Sequence, residues 1–263
     1  MQTVTIQGVD LEFVRLTPAH RRETSPPIVF LHEGLGSVSL WRDFPQRVAD
    51  ACGAPAVVYS RQGHGNSAPS TATRTRWYLH HEALEVLPLL IDRLELERPL
   101  LFGHSDGATI ALLCAGETST PLAGVVALAP HVLVEEITTT GIRQTVEAWR
   151  NTDLRQRLAR HHSVQNLDAV FAAWHGTWLD PAFRDWNVES CLPRIECPVL
   201  AIQGEDDQYA TMAQFDRIVG QVRDVTALRL ARCGHSPHRD QAEAVISGTL
   251  TYFQALDSTG AKK

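Results

Sequence analysis

Short apolar runs alternate along this chain with longer stretches whose apolar residues recur at helical spacing, and this alternation restricts the fold more than any other feature. The predicted strands are 28–31, 56–59, 100–102, 125–128, 199–202 and 226–230. Most of them are apolar at consecutive positions, which is typical of parallel strands covered on both faces. The first 16 residues instead alternate in polarity around a turn at Gly8, which predicts an antiparallel hairpin. The sequence therefore predicts an α/β fold with a mostly parallel, twisted sheet and right-handed crossovers.

One long interval departs from the alternation. Between Pro130 and Cys197 there is no strand pattern, and the apolar residues keep only helical spacing. This segment is expected to lie outside the sheet, inserted between two of its strands. The predicted division is a core of 1–130 and 191–257, a helical cap (lid) at 131–190 and a flexible tail at 258–263.

The predicted cap is rich in tryptophan. Four of the six tryptophans of the chain fall within it, at positions 149, 174, 178 and 186. Aromatic side chains in such a segment most often pack it onto the body of the protein. The alternative is that they line a substrate pocket beneath a lid, and Trp149, Trp174 and Trp178 are the candidates for that role.

A candidate nucleophile follows the predicted strand 100–102. The sequence Gly103-His104-Ser105-Asp106-Gly107 is a G-x-S-x-G motif, and the helical pattern after it is rich in small residues. On a sharp strand-to-helix turn, the serine hydroxyl stands clear of the sheet, and the strained backbone tolerates little beyond glycine at the flanking positions. The helix that follows directs its N-terminal amides towards developing negative charge. Ser105 is therefore predicted to be a catalytic nucleophile.

A serine nucleophile requires a base, and the base requires a carboxylate that orients it. On this architecture the order along the chain is serine, acid, histidine, each on a loop after a later strand. The segment Gly204-Glu205-Asp206-Asp207 follows the predicted strand 199–202, and the turn at Gly204 favours Asp207, with Asp206 as the second choice. His235 follows the last predicted strand and is preferred to His238, which begins a helical pattern. The predicted triad is Ser105, His235 and Asp207.

Such a site also needs two backbone amides that bind the oxyanion. One comes from the residue after the nucleophile, Asp106, and the other from the loop after an early strand. The loop His32-Glu33-Gly34-Leu35-Gly36 is rich in glycine, so its backbone can approach a ligand closely. The Gly34 amide is the predicted second donor, with Leu35 as the alternative.

These motifs together resemble the α/β-hydrolase superfamily over essentially the whole chain. The resemblance rests on the loop 32–36, the segment Ser60-Arg61-Gln62-Gly63-His64-Gly65-Asn66-Ser67, the nucleophile motif, Leu192-Pro193-Arg194-Ile195-Glu196-Cys197-Pro198 and Gly234-His235. Within the superfamily, Ser-Asp-Gly at the nucleophile and the 192–198 segment look most like biphenyl-hydrolase-like proteins, which include hydrolases of amino-acid esters. Glu33 and Ser60 depart from the family pattern, since glycine and aspartate are usual there.

The resemblance implies a serine hydrolase with the triad and the cap named above. It also implies a role for the Asp106 side chain, which would bind the ammonium group of an amino-ester substrate. The alternative is that this carboxylate caps the first turn of its helix. The leading expectation is hydrolysis of a small or medium carboxylic ester through an acyl-enzyme on Ser105. Hydrolysis of a lactone or a C–C bond on the same triad stays open, as does a non-catalytic ligand-binding protein on this fold.

Composition excludes several other classes of protein. The 24 Lys and Arg against 30 Asp and Glu give a net charge of -6, which argues against nucleic-acid binding. Apolar runs are too short to span a membrane, and the N-terminal residues have no signal-peptide pattern. The five cysteines form no C-x-x-C pair and predict neither a disulfide framework nor a zinc site. A cytoplasmic protein with a small-molecule substrate and no metal or cofactor is expected, and a homo-oligomer is left open.

Overall fold

An eight-stranded sheet forms the centre of the protein. A computed structural model describes residues 2–22, 25–70 and 74–260 of the chain. The strand order is β1-β2-β4-β3-β5-β6-β7-β8; the pairs β1–β2 and β2–β4 are antiparallel, and all others are parallel. The predicted α/β class and the N-terminal hairpin are confirmed. The strands are β1 Gln2–Ile6, β2 Val9–Leu16, β3 Ile28–Leu31, β4 Ala56–Tyr59, β5 Leu100–His104, β6 Gly124–Leu128, β7 Val199–Gly204 and β8 Val225–Leu230.

Helices cover both faces of this sheet. They are α1 Phe44–Cys52, α2 Tyr78–His81, α3 Leu87–Arg93, α4 Asp106–Glu117, α5 Glu136–Asn151, α6 Leu154–Leu158, α7 Leu167–Trp178, α8 Met212–Gln221, α9 Pro237–Asp240 and α10 Ala242–Gly260. A π-helical segment, Glu82–Val86, joins α2 to α3. Strands β3 to β7 are buried along their whole length, with one apolar cluster on each face of the sheet. Burial on both faces explains why these strands are continuously apolar in the sequence.

The chain leaves the sheet after β6 and returns to it at β7. The described residues between these strands form helices α5 to α7, two 3₁₀ turns and one isolated bridge between Leu133 and Asn187. Beside the bridge, Val188 donates its amide proton to the Val132 carbonyl at 2.8 Å. The two ends of the inserted segment are therefore held side by side where they meet the sheet.

The C-terminal helix reaches into the segment predicted as a tail. Helix α10 ends at residue 260, so residues 258–260 belong to it, whereas 261–263 lie outside the described residues. Within the described ranges, no helix combines the length and the apolar character that crossing a bilayer requires.

Candidate active site

Ser105 occupies a sharp turn between β5 and α4. Its backbone has φ 54° and ψ -118°, a left-handed conformation that is strained for a residue with a side chain. A Cβ on Gly103 would lie 2.3 Å from the Gly107 carbonyl oxygen, and one on Gly107 would lie 2.0 Å from the Leu31 oxygen. Both glycines of the motif are thus required by close backbone approach. The turn is fixed by a hydrogen bond from the Ser105 amide to the Leu128 carbonyl, 2.9 Å long.

The hydroxyl of Ser105 lies at one end of a hydrogen-bonded chain of three side chains. His235 Nε2 is 2.9 Å from Ser105 Oγ, and His235 Nδ1 is 2.8 Å from Asp207 Oδ2. All three residues are buried. Since a carboxylate only accepts, Nδ1 carries the proton of a neutral imidazole, and Nε2 is left to accept the serine proton.

Asp207 is positioned by its own strand and loop. Gln203 at the end of β7 donates its amide proton to Asp207 Oδ2 at 2.7 Å, and the Tyr209 backbone amide donates to Oδ1 at 2.7 Å. Burial opposes ionisation of this carboxyl, but the charge and hydrogen bond of His235, together with the Tyr209 amide, lower its pKa. Asp207 therefore stays ionised beside His235.

The two residues ranked second for these roles lie elsewhere. The Asp206 side chain is exposed, and its backbone amide donates to the Cys233 carbonyl at 2.9 Å. His238 is buried between Trp41 and Phe44, with ring centroids 4.9 and 5.5 Å away. Neither is part of the hydrogen-bonded chain that ends at Ser105.

The glycine-rich loop after β3 is held by its carbonyl groups. The Glu33 carbonyl accepts protons from Arg61 Nη2 at 2.9 Å, from His32 Nδ1 at 2.7 Å and from the Gly36 amide at 3.0 Å. Because the peptide bond between Glu33 and Gly34 is trans, the Gly34 N–H points in the opposite direction from this fixed carbonyl. Gly34 lines the same cavity as Ser105, so its amide has a fixed orientation at that cavity.

The other predicted amide, that of Asp106, is the first of helix α4. Helix N-terminal amides have no partner within the helix and carry partial positive charge. Asp106 also lines the cavity. Above Gly34, the Trp174 ring lies so close that a Cβ there would come within 2.4 Å of its Cδ1 atom. The cavity thus brings together both predicted amide donors and the serine, with an aromatic ring from α7 above the loop.

The Asp106 carboxylate is paired inside the protein. Its Oδ2 accepts the Tyr78 hydroxyl proton at 2.9 Å and lies 3.4 Å from Arg61 Nη1. The Tyr78 hydroxyl in turn accepts a proton from Trp178 Nε1 at 3.0 Å. Both Asp106 and Arg61 have only 2% of their side chains exposed. A continuous network therefore connects α7 and α2 to the residue that follows the nucleophile.

Glu33 also has a neighbour in this site. Its Oε2 lies 3.6 Å from His104 Nδ1, and His104 donates from Nε2 to the His235 carbonyl at 2.7 Å. Burial opposes ionisation of Glu33, but the nearby His104 and then Arg239 hold its pKa well below the usual range. The residue before the nucleophile thus connects the glycine-rich loop to the backbone of the histidine that faces Ser105.

The cavity above Ser105 has a volume of about 370 Å³. Trp174 and Trp178 line it, as do His131 and Tyr209, which the sequence did not indicate. Burial, with the nearby His235, lowers the pKa of His131 to about 4, so its ring is neutral near pH 7. Trp149 is not among the lining residues: it stacks on Phe171, with ring centroids 3.9 Å apart. Within the described part of the chain, no group of three or more His, Cys, Asp or Glu is arranged to hold a metal ion.

Comparison with known proteins gives one family and many similar folds. A family model described as "Alpha/beta hydrolase family" matches residues 28–247. No significant match was found among curated proteins. The proline iminopeptidase of Mycobacterium smegmatis has a TM-score of 0.73 at 18% identity, covering 98% of this chain and 99% of that chain. The enol-lactonase of Burkholderia xenovorans has a TM-score of 0.75 at 16% identity, covering 97% and 100%.

A thermophilic esterase from Thermogutta terrifontis is similar in the same way. Its TM-score is 0.73 at 17% identity, and the match covers 97% of this chain and 99% of that chain. The three proteins carry three different descriptions on one fold. At these identities the likeness concerns the fold, and the chemistry has to be argued from the side chains themselves.

Proposed function

The chain belongs to the alpha/beta hydrolase family, and from this premise we propose that it is a serine hydrolase that cleaves small or medium carboxylic esters through an acyl-enzyme on Ser105. One observation carries the proposal. The hydrogen-bonded chain from Asp207 through His235 ends on a serine hydroxyl, and that hydroxyl faces a cavity. A serine with a histidine base and a buried, ionised carboxylate behind it is the arrangement that activates a hydroxyl for acyl transfer.

In the proposed first half-reaction, Ser105 Oγ attacks the ester carbonyl carbon while its proton passes to His235 Nε2. Asp207 holds the Nδ1–H of the ring and stabilises the imidazolium that forms. The carbonyl π electrons move onto the oxygen and give a tetrahedral intermediate. When the intermediate collapses, the C–O bond to the alcohol breaks, and His235 gives its proton to the leaving alkoxide.

The oxyanion of this intermediate is assigned to the Gly34 and Asp106 amides. The Glu33 carbonyl supports the assignment of Gly34. It accepts three hydrogen bonds, and these fix the orientation of the peptide unit that carries the Gly34 N–H. Donors that are oriented before the reaction stabilise developing charge without reorganising, and removing one such donor typically costs about 10²–10³ in kcat.

In the second half-reaction, water replaces the alcohol. His235 Nε2 takes a proton from the water as its oxygen attacks the acyl carbon, and the same proton then returns to Ser105 Oγ as the acyl C–O bond breaks. The products are the free acid and the regenerated serine. The segment 131–190 is proposed to act as a cap, since Trp174 and Trp178 of α7 contribute to the cavity in which these steps take place.

A fluorophosphonate probe tests the nucleophile directly. We expect intact mass spectrometry to show one covalent adduct, located on Ser105 by peptide mapping and lost in Ser105→Ala. With p-nitrophenyl esters of increasing chain length, Ser105→Ala is expected to lower kcat by about 10⁶-fold, because the three side chains act as a unit. An adduct that persists in Ser105→Ala would contradict the proposal.

A pair of neighbouring carboxylates provides the matched control. Asp207→Asn should lower kcat by about 10⁴-fold, because the amide favours the wrong imidazole tautomer. Asp206→Asn changes an exposed side chain outside the chain of hydrogen bonds and should leave kcat within about twofold of wild type, as surface substitutions usually do. The reverse order of effects would mean that the wrong aspartate has been assigned.

A further inference from the structure

We propose that the substrate carries an anionic group, a carboxylate or a phosphate, separated from the scissile carbonyl by a short apolar segment and bound by three arginines at the opening of the cavity. The proposal rests on the proposed function, because it names the substrate class of the same site. The three residues are Arg42, Arg157 and Arg239, which are referred to below as the arginine rim.

The arginine rim is assembled from three separate parts of the chain. Arg42 follows the 3₁₀ turn Ser39–Trp41, Arg157 lies on α6 and Arg239 lies on α9, and all three line the cavity while remaining exposed. His161 lines the cavity beside them, and its pKa is lowered by burial and then by nearby positive charges, those of Arg239 and Arg42 among them. Arg42 and Arg239 therefore act on the same ring, and Arg157 lines the same cavity.

This positive charge is only partly compensated inside the protein. Arg157 pairs with Asp153 at 3.3 Å, where both side chains are more than half exposed, and exposed pairs of this kind contribute little. Arg239 donates to the Leu40 carbonyl at 3.3 Å. Among the described residues, no carboxylate lies within ion-pair distance of Arg42. Three arginines around one cavity are unexpected in a chain whose net charge is -6.

The acidic residues that line the cavity offset the arginine rim only in part: Glu33 lies near enough to Arg239 for that guanidinium to help lower its pKa. They are Glu33 and Asp106: His104 lies 3.6 Å from Glu33, whose side chain is 21% exposed, and Arg61 lies 3.4 Å from the buried Asp106. The Asp106 charge is at the inner end, next to Ser105, and is already paired with Arg61. The exposed guanidinium groups stand at the opening and have donors available for a bidentate contact with a carboxylate or a phosphate.

Apolar side chains form another part of the cavity lining. Leu40, Ile142, Leu158 and Trp174 line the cavity and are all buried. Burying charge against such a wall is unfavourable, whereas methylene groups are favoured there by about 0.8 kcal/mol each. The cavity is thus complementary to a molecule with an ester at one end, a hydrocarbon segment in the middle and an anion at the other end.

Two matched esters test the proposal. The mono-p-nitrophenyl ester of adipic acid carries a free carboxylate, and its methyl-capped analogue is neutral but has the same acyl chain. We expect kcat/KM to be at least about tenfold higher for the charged ester, equivalent to about 1.4 kcal/mol, and this preference should shrink as salt is raised. A third ester with a terminal phosphate on the same chain distinguishes the two sources of negative charge. An equal or higher kcat/KM for the neutral ester would overturn the proposal.

Substitutions in the arginine rim test whether these arginines cause the preference for the charged ester. In Arg42→Gln and Arg239→Gln, the ratio of kcat/KM for the charged ester to that for the neutral ester should fall by about tenfold. Arg150→Gln, which changes an exposed arginine of α5 outside the cavity lining, is the matched control and should leave this ratio unchanged. An unchanged ratio in both variants would show that Arg42 and Arg239 do not bind the anionic group.

Ligand binding to an inactive variant tests the anion site independently of the proposed hydrolase mechanism. Ser105→Ala is titrated calorimetrically with the charged and the neutral ester, and tighter binding of the charged ester is expected whether or not the serine is the nucleophile. Preferred binding of the charged ester without a fluorophosphonate adduct in wild type would reject the hydrolase mechanism but keep the anion site. An adduct with no preference for charge would reject the anion site alone.

Discussion

The Asp106 carboxylate has an ionic partner and a hydrogen-bond donor inside the protein before any substrate arrives. Arg61 and Tyr78 both contact its Oδ2 atom, and these side chains are buried. An ammonium group of a substrate would have to share this carboxylate with the guanidinium group. At the scale of single residues, the network around Asp106 therefore favours a structural pairing over recognition of an amino ester.

The variant Asp106→Asn distinguishes these two roles. We expect kcat/KM to fall by the same factor for an α-amino ester and for its des-amino analogue, and the free energy of unfolding to fall by about 3–5 kcal/mol, because Arg61 is left as a buried charge without its partner. Kinetics on both esters and urea unfolding measure the two effects. A loss confined to the amino ester, about 10- to 100-fold, would instead assign the carboxylate to a substrate ammonium.

Some residues of the site were accessible from the sequence and others were not. Ser105, Asp207 and His235 could be singled out because each follows a recognisable strand in a fixed chain order. Arg61 and Tyr78 offered no such signal, since their partner Asp106 is 45 and 28 positions away and only packing makes them neighbours. The pairing of Glu33 with His104 is of the same kind. Long-range polar pairing depends on tertiary distances, which periodicity does not encode.

At the scale of elements, helix α7 and its neighbours place two tryptophans in different surroundings. Trp174 lies above Gly34 and lines the cavity, whereas Trp149 of α5 stacks on Phe171 and is outside the lining. Both positions fall on the apolar face of a helix, and helical spacing alone assigned them the same role. Which neighbour each ring meets is decided by how α5 and α7 pack together.

Exchanging these tryptophans should therefore have different consequences. Trp174→Ala is expected to raise KM and to shift the preferred acyl chain length, because it enlarges the cavity beside the glycine-rich loop. Trp149→Ala should lower stability by about 3–5 kcal/mol, since it removes a stacked ring, while the preferred chain length stays the same. Melting temperatures and a series of p-nitrophenyl esters provide the comparison. A shift of preference in Trp149→Ala would place that ring in the substrate path.

Element boundaries were predicted less well than the elements themselves. Each predicted strand exists, because a continuous apolar run is what burial on both faces of the sheet requires. Strand β5, however, continues to His104, two residues beyond the apolar run, because His104 pairs with Leu128 of β6. The π-helical segment Glu82–Val86 also has no sequence signal. Strand ends are set by pairing partners, which the local sequence does not reveal.

At the scale of the whole molecule, buried neutral histidines make stability depend on pH. Burial is the largest cause that lowers the pKa of five of them, namely His32, His64, His131, His162 and His238. In the unfolded chain these side chains titrate near 6.5. As the pH falls below that value, the unfolded state takes up protons that the folded state does not, so folding becomes less favourable until the folded pKa is reached, about 4 for His131.

We therefore expect the free energy of unfolding to fall between pH 6.5 and about 4, by about 1.4 kcal/mol per pH unit for each such histidine. Urea unfolding at pH 7.5, 6.0 and 5.0 measures this slope. His238→Phe places a ring that does not titrate beside Trp41 and Phe44. It should reduce the slope by the contribution of one titrating group, about 1.4 kcal/mol per pH unit. His20→Gln, at an exposed position, is the control and should not change it. Constant stability over this range would contradict the assignment of neutral buried rings.

The bridge between Leu133 and Asn187 also determines how readily this architecture can be altered. The chain departs from the sheet and rejoins it through adjacent residues, so the distance between these two ends does not fix the length of the segment that joins them. Lengthening such an excursion has a small entropic cost, about 0.6 kcal/mol for each doubling of its length. We therefore expect residues inserted at an exposed turn of this segment to leave the sheet intact, provided that Trp178 keeps its hydrogen bond to Tyr78 of the core.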